Sequence, residues 1–125
     1  MLMRHILPLL LIVSAMAGEH LSPAERSVVG TWRQQNICGG SYFIFGPDGS
    51  YAYVAEAGIH FTRNTLSCSG MWRIEGDQLI TDCTVPYPPD SEKARRGPER
   101  HVDRESLTEF FRGLERHETI SYEMP

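Results

Sequence analysis

Short runs in which apolar and polar residues alternate fill most of the chain after residue 28, and turn residues separate them. This pattern is typical of antiparallel strands that bury one face. In one run, Gly76-Asp77 has the composition of a two-residue hairpin loop with glycine first. A loop at that position pairs Trp72 with Thr81 and Ile74 with Leu79 on one buried face.

A second hairpin is predicted around Gly46-Pro47-Asp48-Gly49, where proline takes the second turn position and glycine ends the turn. This composition favours a type I turn followed by a glycine bulge. In that register Phe45 lies across from Tyr51, and Phe43 lies across from Tyr53. Each aromatic pair is expected to stabilise the hairpin by roughly 0.2–1 kcal/mol.

These runs predict an all-β domain, folded as a small antiparallel up-and-down β-barrel of about eight strands. Residues 106–116 allow two interpretations, whereas Glu118–Tyr122 alternates and is expected to form the closing strand in either case. Leu107 and Phe110 fall at helical spacing behind Ser106, which is a good helix cap. A run of strands is favoured instead, because Gly113 weakens a helix. Those strands would complete the meander over Glu99–Glu105, Leu107–Arg112 and Glu118–Met124.

Two other segments depart from alternation. Leu21 to Val28 contains Ser22-Pro23 followed by Glu25, which predicts one short helical turn before the first strand. Residues 85–98 are rich in proline and charge, and are interpreted as a long surface loop.

Residues 1–17 have the features of a cleaved signal peptide: a basic start, an apolar stretch from Ile6 to Val13, and small residues at Ala15 and Ala17. Cleavage is expected after Ala17, which leaves residues 18–125 as a single domain that is secreted or periplasmic. The apolar stretch is shorter than the ~20 residues that span a bilayer, so stable membrane insertion is not expected.

The chain carries 12 basic and 16 acidic residues, a net charge of −4 with neutral histidines. Removal of residues 1–17 also removes Arg4, and −4 becomes −5. An acidic exported protein lacks the basic surface that nucleic acids require, so no nucleic-acid partner is expected. The basic residues between positions 93 and 100 are interleaved with Glu92 and Glu99, and are interpreted as a solvated loop.

Three cysteines, Cys38, Cys68 and Cys83, lie in the exported part. In an oxidising compartment one pair is expected to form a disulfide. The predicted register makes Cys68 the diagonal neighbour of Cys83, and a bulge at Ser69-Gly70 would bring the two within bonding reach. Cys38 is the competing partner for either one. Their spacing does not resemble a zinc site, so neither a metal nor another cofactor is expected.

The order of these motifs carries a resemblance over roughly residues 28–83. Gly30-Thr31-Trp32, the turn Gly46–Gly49 and Gly70-Met71-Trp72 follow one another as in the small lipocalin-like domains of exported bacterial proteins. The resemblance implies an up-and-down barrel in which Trp32 closes one end, and it implies no catalytic residues. A second resemblance is to small periplasmic inhibitors of bacterial metalloproteases, which insert a free N-terminal segment, here Gly18 to Ser22, into the protease.

Trp32 and Trp72 are interpreted as structural core residues. Gln34, Asn36 and Tyr53 are the candidate ligand-binding residues, because polar groups that face into a barrel need partners. Glu56 and Glu75 are interpreted as outward positions rather than a catalytic carboxylate pair, and His60 as a polar residue at a strand end. The predicted function is an exported binding protein for a small apolar or amphipathic molecule, without catalysis. The alternative is a protease-inhibitor-like or other protein-interaction barrel.

Overall fold

A computed structural model describes residues 20–36, 39–57 and 63–125. Most of the described chain forms one antiparallel sheet with the strand order β6-β5-β4-β3-β2-β1-β7. The strands are β1 (Gly30–Asn36), β2 (Gly39–Phe45), β3 (Ser50–Ala57), β4 (Arg63–Glu75), β5 (Gln78–Val85), β6 (Glu99–Ser106) and β7 (Glu115–His117). The helices are α1 (Pro23–Val28), α2 (Glu92–Arg95) and α3 (Leu107–Phe111).

The all-β class is confirmed, but the sheet does not close into the predicted barrel. Six strands follow one another as a meander, and β7 then joins the free edge of β1. Within the described residues, β6 and β7 are the two edges and do not pair with each other. The described part therefore has seven strands in an open sheet.

The strand predicted over Leu107–Arg112 is wrong, because this segment forms α3. The Ser106 hydroxyl accepts a hydrogen bond from the Glu109 N–H at 3.2 Å, so the cap supports a helix. Helical spacing places Phe110 and Phe111 three and four residues after Leu107, and all three side chains pack against the apolar core. Gly113 lies just beyond the helix with φ +79°, a position where glycine ends a helix, so its low helix propensity does not oppose α3.

The closing strand predicted over Glu118–Met124 is also wrong. The regular strand ends at His117, and the tail then crosses the sheet. It contacts β4 through one parallel bridge between Glu123 and Thr65. Leu66 N–H donates to the Glu123 carbonyl at 2.9 Å, and Glu123 N–H donates to the Asn64 carbonyl at 2.9 Å.

Both predicted hairpins have the predicted register. Phe45 pairs with Tyr51 and Phe43 with Tyr53, and the ring centroids of each pair are 5.1 Å apart. In the other hairpin, Trp72 pairs with Thr81 and Ile74 with Leu79. The short helix before the first strand is confirmed as α1, and α2 lies within the predicted surface loop.

The sheet buries apolar residues on both faces. One face, here called the aromatic face, is covered by Val28 of α1 and by Phe110 and Phe111 of α3. Its buried residues include Phe45, Tyr51, Cys68, Trp72, Leu79 and Cys83. The opposite face buries Tyr42, Ala52, Val54 and Leu66, against which Ile120 of the tail packs. None of the helices in the described part is long and apolar enough to cross a bilayer.

The Sγ atoms of Cys68 and Cys83 are 2.05 Å apart, which is disulfide distance, and their Cα atoms are 5.4 Å apart. The predicted bulge at Ser69-Gly70 is wrong, because the pairing of β4 with β5 is regular there and places Gly70 opposite Cys83. The close approach instead depends on Gly70 having no side chain. A Cβ at Gly70 would lie 1.8 Å from the carbonyl oxygen of Asp82. Cys38 lies outside the described residues.

The irregularity lies on the other side of β4, in its pairing with β3. Tyr53 pairs with Cys68, but the next pair is Val54 with Leu66, so Ser67 is an extra residue on β4. One extra residue shifts the alternation of side chains, so residues two apart on either side of the bulge lie on opposite faces of the sheet. Cys68 therefore lies on the aromatic face, whereas Leu66 lies on the opposite face.

Candidate functional site: an aromatic groove beside the disulfide

The part of the aromatic face that α3 leaves open contains a groove with a volume of about 270 Å³. Its floor contains the Cys68–Cys83 pair, and its walls contain three aromatic rings. The residues that line it are Phe43, Tyr51, Tyr53, Cys68, Cys83, His101 and Asp103.

Strand register explains why these residues meet. Phe43, Tyr53 and Cys68 occupy one row across β2, β3 and β4. A second row runs from Tyr51 through Gly70 and Cys83 to His101 on β6. Gly70 contributes no side chain to the second row, so Tyr51 and Cys83 are the side chains on either side of it.

The rings on the wall are held in place by their neighbours. Tyr53 donates a hydrogen bond from its hydroxyl to the Ser41 hydroxyl at 3.1 Å, and its ring packs against Phe43. Tyr51 is only 7% exposed. Burial, followed by the nearby charge of Asp103, raises the pKa of Tyr51 well above its usual range. The Tyr51 hydroxyl therefore stays neutral and acts as a polar group within an apolar wall.

The mouth of the groove is formed by β6, the edge strand. His101 pairs with Cys83 and Asp103 pairs with Thr81, so both side chains point to the aromatic face while remaining exposed. The His101 Nε2 atom is 3.2 Å from the Glu99 Oε1 atom. His101 and Asp103 are the polar groups that a molecule in the groove would meet first.

The charges of β6 are sorted between the two faces of the sheet. Arg100 forms an ion pair with Asp82, and Arg104 forms one with Glu75 on the face opposite the groove. The Arg100 contact lowers the pKa of Asp82, and the hydrogen bonds from Arg73 and then Arg104 lower the pKa of Glu75. The acidic residues at odd-numbered positions of β6 face the groove side, as alternation along a strand requires.

Of the two predicted ligand-binding residues whose side chains the structure describes, Tyr53 and Gln34, one lies at the groove. Tyr53 lines it. Gln34 is exposed and pairs with Ser41 at the neighbouring end of the sheet, without lining the groove. Asn36 ends β1 opposite Gly39, and its side chain lies outside the described residues.

The two tryptophans lie apart from the groove. Trp72 is 6% exposed, and its Nε1–H donates to the Gly46 carbonyl at 2.9 Å. Trp32 is half-buried beside Phe111, with a ring-centroid distance of 4.7 Å, and its Nε1–H donates to the Val28 carbonyl at 2.8 Å. The Arg116 guanidinium lies 4.3 Å from the Trp32 ring centroid.

Glu56 and Glu75 do not meet as a pair. Glu56 lies on the face opposite the groove, where its Oε1 atom accepts hydrogen bonds from Arg33 at 2.9 Å and from the Tyr42 hydroxyl at 3.2 Å. The Arg33 bond lowers the pKa of Glu56. Glu56 thus faces away from the aromatic face, but Arg33 and Tyr42 cover it, and its side chain is only 13% exposed. Glu75 instead binds Arg73 and Arg104 at the surface.

Sequence reasoning missed His101 and Asp103 as site residues. Their strand was predicted, but the strand beside it was not. β6 pairs with β5, and residues 86–98 separate the two along the chain. The signal available in the sequence is the alternation of acidic and basic residues from Glu99 to Glu105. It shows that one face of the strand is acidic without showing what that face meets.

No protein-family model matches the chain, and neither the curated proteins nor the solved structures contain a significant match. Within the described residues, no group of three or more His, Cys, Asp or Glu side chains could hold a metal ion. Of the N-terminal segment Gly18 to Ser22, the first two residues lie outside the described part. Its predicted role in protein interaction stays a prediction.

Proposed function

We propose that the chain is an exported binding protein for a small apolar or amphipathic molecule, which it holds in the aromatic groove without catalysis. The observation that carries this proposal is the composition of the groove. Three aromatic rings and the Cys68–Cys83 pair form an apolar surface, with His101 and Asp103 at its mouth. Mostly apolar concave surfaces with a few polar groups are typical of small-molecule sites.

The volume of the groove sets the size of the ligand. At about 270 Å³, it lies just below the ~300–1,000 Å³ common for ligand pockets. A single ring or a short branched chain suits this space. The rings at the wall suit a ligand with an apolar body, and the exposed mouth suits one polar end.

Export is part of the same proposal. It is supported by the signal-peptide features of residues 1–17 and by the two cysteines at disulfide distance, since disulfides persist in oxidising compartments. The absence of catalysis is proposed because the described lining residues include no activated nucleophile. Both lining cysteines are paired with each other, so neither is a free thiol.

A lipocalin-like origin of the sheet also belongs to the proposal. The meander from β1 to β6 supports it, as does the pairing of β7 with β1, because the last strand of an up-and-down barrel pairs with the first. In this interpretation α3 occupies the place of the strand that would join β6 to β7.

Binding can be tested with NMR spectra of the mature protein, residues 18–125, during titration with benzyl alcohol. We expect amide shifts that saturate and that cluster at Tyr51, Tyr53 and Cys68. Tyr53→Ala removes one wall of the groove and should weaken binding. Tyr122→Ala removes a tyrosine that is 44% exposed and outside the groove, and should leave binding unchanged.

Native mass spectrometry of protein taken from its source is the second test, because a retained ligand appears as added mass. The proposal fails if titration shifts no groove amides, or if Tyr53→Ala and Tyr122→Ala bind the probe equally well. Melting curves of both variants show whether each is folded before binding is compared.

A further inference from the structure

We propose that the ligand of the groove is a small organic cation, an amine or quaternary ammonium group on an apolar body, with Asp103 as its counter-charge. This inference rests on the proposed function, since it requires that the groove binds a ligand. It names the charge of that ligand and the residue that recognises it.

The apolar wall is the first reason. Phe43, Tyr51 and Tyr53 line a groove small enough that any occupant lies beside the rings. The face of an aromatic ring carries partial negative charge, so a cation within about 6 Å of a ring centroid is attracted to it. Sets of aromatic rings around one small space are suited to alkylammonium groups, because such groups are both charged and apolar.

The carboxylate at the mouth is the second reason. Asp103 lines the groove beside Tyr51, and its charge contributes to the raised pKa of the Tyr51 hydroxyl. The two acidic side chains of β4 and β5 each have an arginine partner on β6: Glu75 pairs with Arg104 and Asp82 with Arg100. Among the described residues, no basic side chain lies within 4.0 Å of the Asp103 carboxylate.

The sorting of charge along β6 is the third reason. Asp103 and Glu105 lie on the groove side, opposite Thr81 and Leu79, whereas Arg100 and Arg104 lie on the other face. Charged residues on an edge strand protect it from pairing with other sheets. The ion pairs of Arg100 with Asp82 and of Arg104 with Glu75 account for the basic side of β6. They leave the acidic side facing the groove, where its charge favours a cationic ligand.

His101 is the remaining polar group at the mouth. Its Nε2 atom is 3.2 Å from the Oε1 atom of Glu99, which precedes His101 on β6, whereas Asp103 follows it. A negatively charged ligand would meet the Asp103 carboxylate at the same mouth and would be repelled by it. The arrangement therefore discriminates against anions as well as favouring cations.

Three probes that share one ring test the inference: benzylammonium, benzyl alcohol and benzoate, which are cationic, neutral and anionic at neutral pH. Each is titrated into the mature wild-type protein and followed by amide shifts at Tyr51 and Tyr53. We expect the affinity to fall in the order benzylammonium, benzyl alcohol, benzoate. Added salt should weaken benzylammonium binding and leave benzyl alcohol binding unchanged, because salt screens exposed charges.

The key variant is Asp103→Asn, which keeps the shape of the side chain and removes its charge. For an exposed charge pair, its benzylammonium affinity should fall by about fivefold, with benzyl alcohol affinity unchanged. Asp90→Asn is the matched control, because Asp90 is exposed and does not line the groove. This control should bind all three probes as the wild type does.

The outcomes separate the two proposals. If benzyl alcohol binds in the groove as tightly as benzylammonium, and Asp103→Asn changes neither, the cation inference is overturned and groove binding stands. Tighter binding of benzoate than of benzylammonium would also overturn the cation inference alone. If none of the three probes shifts the groove amides, both proposals are overturned. The salt series uses the wild-type protein, so it decides the charge preference even if Asp103→Asn folds poorly.

Discussion

Gly70 lies directly opposite Cys83 in the pairing of β4 with β5, and an added Cβ at Gly70 would lie 1.8 Å from the Asp82 carbonyl oxygen. This carbonyl is backbone, so it cannot rotate away as a side chain could. The absence of a side chain at Gly70 therefore allows β4 and β5 to approach closely beside the Cys68–Cys83 pair.

The first prediction concerns that contact. Gly70→Ala should lower the free energy of unfolding by about 1–3 kcal/mol or more, as overpacking of a tight site does. Urea denaturation of the oxidised protein measures the change. Ser69→Ala is the matched control on the same strand, because Ser69 is exposed, and it should stay within about 0.5 kcal/mol of wild type. Equal stability of Gly70→Ala and wild type would show that the two strands lie farther apart.

The second prediction concerns the disulfide. Non-reducing peptide mapping of the exported protein should identify one bridge, between Cys68 and Cys83. Their sequence separation is 15 residues, and a closed loop of that length contributes roughly 3 kcal/mol in the chain-entropy model. The double variant Cys68→Ser/Cys83→Ser should lose about that much stability. Cys38→Ser should keep the bridge, and a crosslinked peptide that contains Cys38 would contradict the pairing.

The third prediction compares the tryptophans. Trp72→Ala should cost roughly 3–5 kcal/mol, because Trp72 is almost fully buried and Phe45 packs against it. Trp32→Ala should cost less, because Trp32 is only half-buried. Denaturation curves of the two variants give the difference. A larger loss for Trp32 would mean that the cover from α1 and α3 is the more important part of the core.

The fourth prediction concerns acid stability. The hydrogen bond from Arg33 lowers the folded-state pKa of Glu56 below its ordinary value of 4.5. A lowered pKa stabilises the fold above the unfolded-state value, and this contribution is lost as pH falls through the folded-state value. Stability should therefore decline as the pH falls below about 4.5.

Glu56→Gln tests this assignment, because glutamine keeps the shape and does not titrate. The variant should show a shallower loss of stability between neutral and acid pH than the wild type. Glu105→Gln, an exposed position on β6, is the control and should keep the wild-type slope. If Glu56→Gln and wild type have parallel stability curves, the Arg33 contact does not link the fold to pH.

The hairpins show what can be predicted from the sequence. Gly46–Gly49 and Gly76-Asp77 determine their turns locally, and the turn then determines the partners of Phe43, Phe45, Trp72 and Ile74. These pairs were predicted correctly because every part of the argument lies within a dozen residues of chain. The same local register made Cys68 and Cys83 neighbours. The predicted reason for their close approach, a bulge at Ser69-Gly70, was wrong, because the strands approach closely where Gly70 has no side chain.

The segment after Ser106 shows the opposite case. Its local signals for helix and strand are nearly balanced, and the outcome depends on what the two faces of the segment can bury. Phe110 packs against Phe43 and Phe45, with ring centroids 5.4 and 5.5 Å away, and these residues are far away in sequence. No local pattern contains that contact.

The sequence by itself determined the strand class, two turns, two strand registers and the closeness of Cys68 to Cys83, because each depends on residues close together along the chain. It left Cys38 open as a competing partner. The tertiary structure decided the open sheet, the position of α3 and the groove. Asp103 meets Tyr51 only after β6 has paired with β5 across residues 86–98. The physical reason is that a binding site joins residues from strands distant in sequence, and their meeting is decided by the free energy of the whole packed sheet.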